Sequence, residues 1–161
     1  MLIEMTIKGL MVDPITNMPI VILKDKDGER VLPIWVGVFE ANAIALQIER
    51  IDTPRPMTHD LLKNILLHLN ATVEKIVVTD LQENTFFATI FLDMEGNRVV
   101  IDSRPSDAIA LALRTDAPIF VTQEVINNSS NIRLDQENLD PEDVKKWLED
   151  LNPEDLGKYK M

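Results

Sequence analysis

A strand pattern leads directly into a helix pattern in residues 98–115, which read RVVIDSRPSDAIALALRT. The β-rich run ends at Ser103, and Pro105 has the restrained backbone that favours the first turn of a helix. The alanine-rich run that follows is apolar on most faces and predicts a helix packed inside the protein over residues 105–115. We therefore expect a strand-to-helix unit in this part of the chain.

A similar order of segments occurs in the first half of the chain. Three short matches fall in the same order, namely 28–31 (GERV) with 96–99 (GNRV), 43–46 with 108–111 (both AIAL), and 50–54 (RIDTP) with 114–118 (RTDAP). Matches in the same order indicate a duplicated β-β-β-α unit. The alternative is chance similarity between two alanine-rich buried helices.

The remaining patterns extend this architecture. Further strands are predicted over 2–12, 18–25, 30–36, 72–81, 85–93 and 117–121. A buried helix is predicted over 38–50, and a second helix over 58–70 with Thr58 as its N-cap. A helical turn is predicted over 122–127 and a loop over 127–131. The predicted fold is α+β. It has a mixed, largely antiparallel sheet built from two β-β-β-α repeats with an inserted helix, and a short helical C-terminal tail. We predict a domain over 1–133 and an acidic helical tail over 134–161.

Composition limits the class of protein. The chain has 161 residues, 45% of them hydrophobic, no cysteine and a formal charge of −11. The absence of cysteine excludes disulfide scaffolds, thiolate zinc sites, iron–sulfur clusters and cysteine nucleophiles. No apolar run approaches the roughly 18 residues of a membrane helix, and the first residues resemble no signal peptide, so we expect a cytoplasmic protein. The acidic balance argues against a basic nucleic-acid platform, so a polyanion would need a local positive site or bridging metal ions.

Two segments place an arginine and a proline just before a helix. They are residues 55–60, RPMTHD, and residues 104–107, RPSD. The free amides of a helix N-terminus, combined with an arginine fork, form a possible phosphate or carboxylate site. Ordinary capping by Thr58 and Ser106 is the alternative, although capping does not need the arginines.

Several other residues in the sequence are compatible with more than one role. His59 is compatible with a general base, a metal ligand or a surface histidine, whereas His68 is interpreted as structural. Glu40 lies early in a helix predicted to be buried. Three roles are open for it there, namely a cap of the helix, an ion pair with Arg104 or Arg55, and a ligand of a divalent metal. The aromatic residues of strand and helix patterns are interpreted as core rather than as a base-stacking platform. They are Trp35, Phe39, Phe86, Phe87, Phe91 and Phe120.

Three separated segments resemble the bifunctional nuclease family, whose domain is abbreviated BFN. They are residues 32–46 (LPIWVGVFEANAIAL), 55–62 (RPMTHDLL) and 102–114 (DSRPSDAIALALR), and the resemblance extends over about residues 1–130. It implies a compact α+β domain that is usually a homodimer, with DNase and RNase activity assigned to some members. The polar positions typical of the family fall here on Glu40, Arg55, His59, Asp60, Ser103, Arg104, Ser106 and Asp107.

These observations together predict a nuclease that hydrolyses phosphodiester bonds of DNA or RNA. The predicted catalytic residues are His59, Asp60 and Asp107; the predicted phosphate ligands are Arg55, Arg104, Ser103 and Ser106; and the predicted ligands of Mg²⁺ or Mn²⁺ are Glu40, Asp60 and Asp107. One competing hypothesis is a non-enzymatic dimeric module that binds a small anion or nucleotide at the same arginines. Another is a regulatory interaction protein that uses its acidic tail. The prediction depends on whether Arg55, His59, Asp60, Arg104 and Asp107 converge on one cleft.

Overall fold

A computed structural model describes residues 1–27 and 30–129 as seven strands and four helices. The strands are β1 (Leu2–Val12), β2 (Pro19–Asp25), β3 (Val31–Trp35), β4 (Ala71–Gln82), β5 (Thr85–Met94), β6 (Asn97–Ser103) and β7 (Ile119–Thr122). The helices are α1 (Val38–Ile48), α2 (Thr58–His68), α3 (Pro105–Thr115) and α4 (Gln123–Ser129). The predicted tail over 134–161 lies outside the described residues.

The seven strands form one sheet in the order β3-β2-β1-β7-β4-β5-β6. All neighbouring strands are antiparallel except β4 and β7, which are parallel. The α+β class with a mixed, largely antiparallel sheet is therefore confirmed. Two three-stranded meanders flank β7, each followed by a helix, and α2 lies between them in the chain. Whether the two β-β-β-α units superpose remains a prediction.

Helices α1 and α3 pack against each other and against the sheet in one main core. Alanines at alternating positions of both helices are buried, and their small side chains allow close approach. The first turn of α1 is nevertheless exposed, because Val38 is 52% and Phe39 is 84% accessible. The prediction of a buried helix thus holds for residues 41–46 only. Phe39, and Phe87 at 38% accessibility, are not the core aromatics that the sequence predicted.

The helix ends correct three local predictions. The N-cap of α2 is Met57 rather than Thr58, and its amide donates a hydrogen bond to Asp60 Oδ2 at 3.0 Å. Pro105 is in the first turn of α3, as predicted, but the N-cap is Arg104 and no side chain caps the helix. Helix α4 continues to Ser129, so the loop predicted to begin at residue 127 is wrong for its first three residues.

None of the helices in the described part of the chain combines the length and apolar character needed to cross a membrane.

Candidate functional site

Four polar side chains from three helices form a continuous network. Arg104 Nη2 donates to Glu40 Oε1 at 2.8 Å, and Arg104 Nε donates to Asp107 Oδ2 at 2.9 Å. The other carboxylate oxygen of Asp107, Oδ1, is 2.9 Å from His59 Nε2. We call Glu40, Arg104, Asp107 and His59 the polar network. It joins the first turns of α1, α2 and α3.

Local sequence positions three members of the polar network. Pro105 keeps Arg104 extended at the N-cap of α3, with φ −72° and ψ 146°, so its side chain lies beside the helix start. Asp107 is three residues further on, within reach of the guanidinium. A Cβ on Gly37 would overlap the Glu40 carboxylate, so glycine at this position leaves room for Glu40. Of the roles considered for Glu40, the structure shows the ion pair with Arg104.

The polar network passes from the protein interior to solvent. The side chain of His59 is 9% exposed, that of Asp107 is 28% exposed and that of Arg104 is 65% exposed. Burial alone would raise the pKa of Asp107, but hydrogen bonds from His59 and Arg104 outweigh it, and the pKa is lowered. Hydrogen bonds to Asp107 and Glu40 raise the pKa of Arg104 above its ordinary value. Asp107 is therefore a carboxylate at neutral pH.

The hydrogen bond to Asp107 orients the His59 ring. Because the carboxylate accepts, Nε2 of the neutral ring carries the proton and Nδ1 has a free lone pair. Nδ1 has no hydrogen-bond partner within residues 1–27 and 30–129. In the same ranges the one buried side-chain nitrogen or oxygen without a partner is Asn42 Oδ1, so Nδ1 is not sealed from solvent. A histidine held by a carboxylate in this way is suited to accept a proton at Nδ1.

A separate ion pair lies beside the polar network. Arg114 Nε donates to Asp60 Oδ1 at 2.7 Å, and its Nη1 and Nη2 donate to the carbonyls of Ala110 and Ala43 at 2.9 and 3.0 Å. The Arg114 side chain is only 3% exposed. Burial would raise the pKa of Asp60, but the amide of Met57 and the guanidinium of Arg114 outweigh it, and the pKa is lowered. His59 and Asp60 are consecutive, so the first turn of α2 joins the two groups.

Arg114 is the residue that the sequence analysis missed as a candidate. It follows the apolar run 108–113 in a helix predicted to be buried, and a charged residue in that position needs a partner. That pattern was a usable signal for a buried ion pair.

Three of the four predicted phosphate ligands line two different cavities, and Ser103 lines neither of them. Arg104 and the buried Ser106 line a cavity of about 250 Å³, together with Trp35 and Phe86. Arg55 lines another cavity, of about 320 Å³, with Asp60 and Arg114. Ser103 donates its hydroxyl to the carbonyl of Arg104 at 3.1 Å. The predicted site residues are thus divided between two neighbouring groups, connected through α2 and α3.

The three predicted metal ligands do not form a cation cage. Glu40 and Asp107 both accept hydrogen bonds from Arg104, and Asp60 accepts one from Arg114. In the part of the chain that the structure describes, no group of three or more His, Asp or Glu side chains is arranged to hold a metal ion. The guanidinium of Arg104 lies between the carboxylates of Glu40 and Asp107. Glu40, Asp60 and Asp107 therefore do not fit a three-carboxylate Mg²⁺ or Mn²⁺ site in this arrangement.

The lowered pKa values of Asp60 and Asp107 predict acid sensitivity. Each lies below the ordinary value of 3.8, so unfolding takes up protons at low pH. The stabilisation is fully present above that value and is lost as the pH falls through the lower pKa of the folded state. We expect the free energy of unfolding, measured with urea, to decline below about pH 4.

The decline should be shallower in an Asp60→Asn/Asp107→Asn variant, whereas Asp102→Asn, at an exposed position of β6, should behave like wild type. Equal declines in all three proteins would contradict this prediction.

Comparison with known proteins agrees with the resemblance seen in the sequence. The family model described as bifunctional nuclease domain matches residues 21–133. An uncharacterized protein of Mycobacterium tuberculosis is 33% identical over 162 residues, covering 95% of this chain and 97% of that protein. Bifunctional nuclease 1 of Arabidopsis thaliana is 31% identical over 109 residues, covering 65% of this chain and 34% of the plant protein. Bifunctional nuclease 1 of Oryza sativa subsp. japonica is 26% identical over 113 residues, covering 68% of this chain and 34% of the plant protein. The match to residues 21–133 covers most of the chain, which therefore belongs to the bifunctional nuclease domain family.

Proposed function

We propose that this chain is a nuclease that hydrolyses phosphodiester bonds of DNA or RNA, with the polar network as its reactive centre. One observation carries the proposal: the Asp107 carboxylate contacts both His59 and the exposed Arg104. An oriented base and a phosphate-binding cation are thereby held side by side. Membership of the family and the names of the plant relatives support the same activity.

Arg104 has the features of a phosphate ligand. Its side chain is 65% exposed and lines the cavity of about 250 Å³. Two of its five N–H groups bind Glu40 and Asp107, and Nη1 has no hydrogen bond to any described residue. A phosphate at Nη1 receives a charge-assisted hydrogen bond without displacing either carboxylate. The same contact strengthens as negative charge develops on the phosphate oxygens in the transition state.

His59 supplies the proton transfer in this proposal. Nδ1 accepts a proton from the attacking water while the water oxygen forms its bond to phosphorus, and Asp107 stabilises the resulting imidazolium. The bond from phosphorus to the leaving oxygen breaks on the opposite side, the leaving oxygen takes a proton from solvent water, and the imidazolium releases its proton to solvent. With RNA, the 2′-hydroxyl is an alternative nucleophile, and it loses its proton to the same nitrogen.

Cleavage of labelled oligonucleotides tests the proposal. The full chain is incubated with single-stranded DNA, duplex DNA and single-stranded RNA, each with Mg²⁺, with Mn²⁺ and with EDTA. Cleavage of any of these substrates by the purified chain supports the nuclease, and failure to cleave all of them overturns it. The metal prediction is decided by the same reactions. Persistence in EDTA supports a reaction centred on His59, whereas loss in EDTA with recovery in Mg²⁺ or Mn²⁺ supports the predicted metal.

The predicted homodimer and cytoplasmic location form part of the same proposal. Strand β6 is an edge of the sheet, and its Val99, Val100 and Ile101 side chains are exposed, as a strand that pairs with a second copy would be. The absence of cysteine is compatible with a reducing compartment. Sedimentation of the purified chain at micromolar concentration measures the oligomeric state.

Replacing Arg104 by lysine separates phosphate binding from a structural role. Lysine keeps the charge but loses the planar fork that reaches Glu40, Asp107 and a phosphate together. We expect the cleavage rate to fall about 30- to 1,000-fold, equivalent to about 2–4 kcal/mol of transition-state stabilisation. The melting temperature should change little, because the Arg104 side chain is 65% exposed and lysine keeps a positive charge beside both carboxylates.

The matched control for this substitution is Arg98→Lys. Arg98 is similarly exposed, at 61%, and also pairs with a carboxylate, that of Glu74. It should retain both cleavage and stability. Full cleavage by a folded Arg104→Lys protein would exclude Arg104 as the phosphate ligand, and a large drop in melting temperature with full activity would assign it a structural role.

A further inference from the structure

The second cavity, about 320 Å³, is an open cleft with buried residues at its floor and exposed residues at its mouth. Leu46 and Arg114, which line it, are buried, whereas Gln47, Asp52 and Arg55 are exposed. The end of α1, residues 51–56, Asp60 and Asn64 of α2, and Arg114 of α3 line it. Its volume is at the lower end of the range of about 300–1,000 Å³ that small-molecule sites occupy. The cavity is therefore of a size for one small ligand.

The charges of the cavity are balanced. Arg114 and Asp60 form an ion pair inside it, which leaves Arg55 and Asp52 as the charged side chains near the mouth. The cavity is formally neutral in a chain whose net charge is −11. An anionic group at Arg55 thus meets much less repulsion than it meets at the protein surface in general.

The uncharged lining adds recognition groups that a simple anion does not need. The side-chain amides of Gln47 and Asn64 offer paired donors and acceptors, which is the chemistry that reads the edge of a nucleobase. Leu46 and Ile51 provide apolar surface for the base. A carboxylate such as Asp52 accepts hydrogen bonds from ribose hydroxyls, and the Arg55 guanidinium binds phosphate.

We propose that this cavity binds one nucleotide, either as a free mononucleotide or as an unpaired nucleotide of a single strand. The part of this inference that relates the cavity to the cleaved phosphate rests on the proposed function. Asp60 lines the cavity, and His59, a member of the polar network, is the residue before Asp60 in α2. A nucleotide held in the cavity therefore lies beside the residue that follows His59. The bound nucleotide then flanks the phosphate that is cleaved, and single strands are preferred because a paired base cannot enter.

Calorimetric titration of the full chain with AMP, UMP, adenosine and orthophosphate tests the binding. Arg55→Gln should weaken AMP and UMP binding about tenfold or more and leave adenosine binding unchanged. Gln47→Ala and Asn64→Ala should each weaken both AMP and adenosine binding about three- to tenfold. Asn128→Ala, at an exposed position of α4, is the matched control and should bind like wild type.

The outcomes separate this inference from the proposed function. Mononucleotide binding that persists in His59→Gln and is lost in the cavity variants supports the site, even if the wild-type chain cleaves nothing. Binding of orthophosphate alone, or equal affinities in wild type and all cavity variants, overturns it even if cleavage is normal. An oligothymidine single strand should compete with UMP, and competition by duplex DNA at equal concentration would overturn the preference for unpaired nucleotides.

Discussion

Replacing His59 by glutamine is expected to lower nucleic-acid cleavage by about 10²- to 10⁴-fold, which is the range that a general base contributes. The glutamine amide nitrogen takes the place of Nε2 and keeps a hydrogen bond to Asp107, so this carboxylate retains a donor. The substitution removes the lone pair at Nδ1 and leaves no group that accepts the proton. Initial rates on the labelled oligonucleotides, with the melting temperature of the same preparation, give the measurement.

The control for this prediction lies on the same helix. His68 is exposed near the end of α2, and His68→Gln should cleave at the wild-type rate. A folded His59→Gln protein with an unchanged rate would remove His59 from the reaction and would favour the predicted metal ion or another base.

Replacing Arg114 by methionine is expected to lower the free energy of unfolding by about 2–4 kcal/mol. Breaking a fully buried ion pair removes roughly 3–5 kcal/mol because a charge is left without its partner. The expected loss here is smaller because the Asp60 side chain is 32% exposed and keeps some hydration. Methionine retains most of the apolar stem, so lost packing contributes little. Urea unfolding at pH 7 measures the change.

Two further proteins test whether the loss comes from the pair. Arg98→Met removes an exposed ion pair with Glu74 and should lower stability by less than about 1 kcal/mol. Adding Asp60→Asn to Arg114→Met removes the unpaired charge and should restore part of the loss, as a double-mutant cycle detects. A loss below about 1 kcal/mol in Arg114→Met would show that Asp60 is stabilised by its other contacts.

The elements of the fold were predictable because their signals are local. Pro105 and the alanine-rich run after it define α3, and short runs rich in apolar and β-branched residues, bounded by turns, define most of the strands. The strand order was not predictable in the same way. Strand β7 lies between β1 and β4, and that position depends on pairings between segments far apart in the chain.

The candidate site shows the same division. Arg104, Asp107 and His59 stood out because each lies beside a helix start with an arginine and a proline nearby. His59 pairs with Asp107, 48 residues away in the chain, and Glu40 pairs with Arg104, 64 residues away. Both pairings depend on how α1 and α2 pack against α3, which no local pattern specifies. The same packing directs Asp60 towards Arg114 and divides the predicted residues between two cavities.

Thr58 illustrates how one side chain displaces another. A threonine at the start of a helix is a common cap, but the carboxylate two residues later binds the Met57 amide and moves the N-cap back by one residue. The prediction of Thr58 as the N-cap was therefore wrong, because the carboxylate of Asp60 binds the amide at this helix start.

The central position of β7 has a consequence for the order in which the molecule folds. Each meander pairs segments that are close in the chain, so each can form rapidly, whereas β7 joins residues 119–122 to residues 2–5 and 76–78. The four residues of β7 close the largest loop in the sheet, and closing it carries the largest entropic cost of any pairing there. Helix α1 follows the first meander and α3 follows the second, so Glu40 and Arg104 meet only when the halves are joined. We therefore expect a nascent chain that has not yet released β7 to lack the ion pair between Glu40 and Arg104.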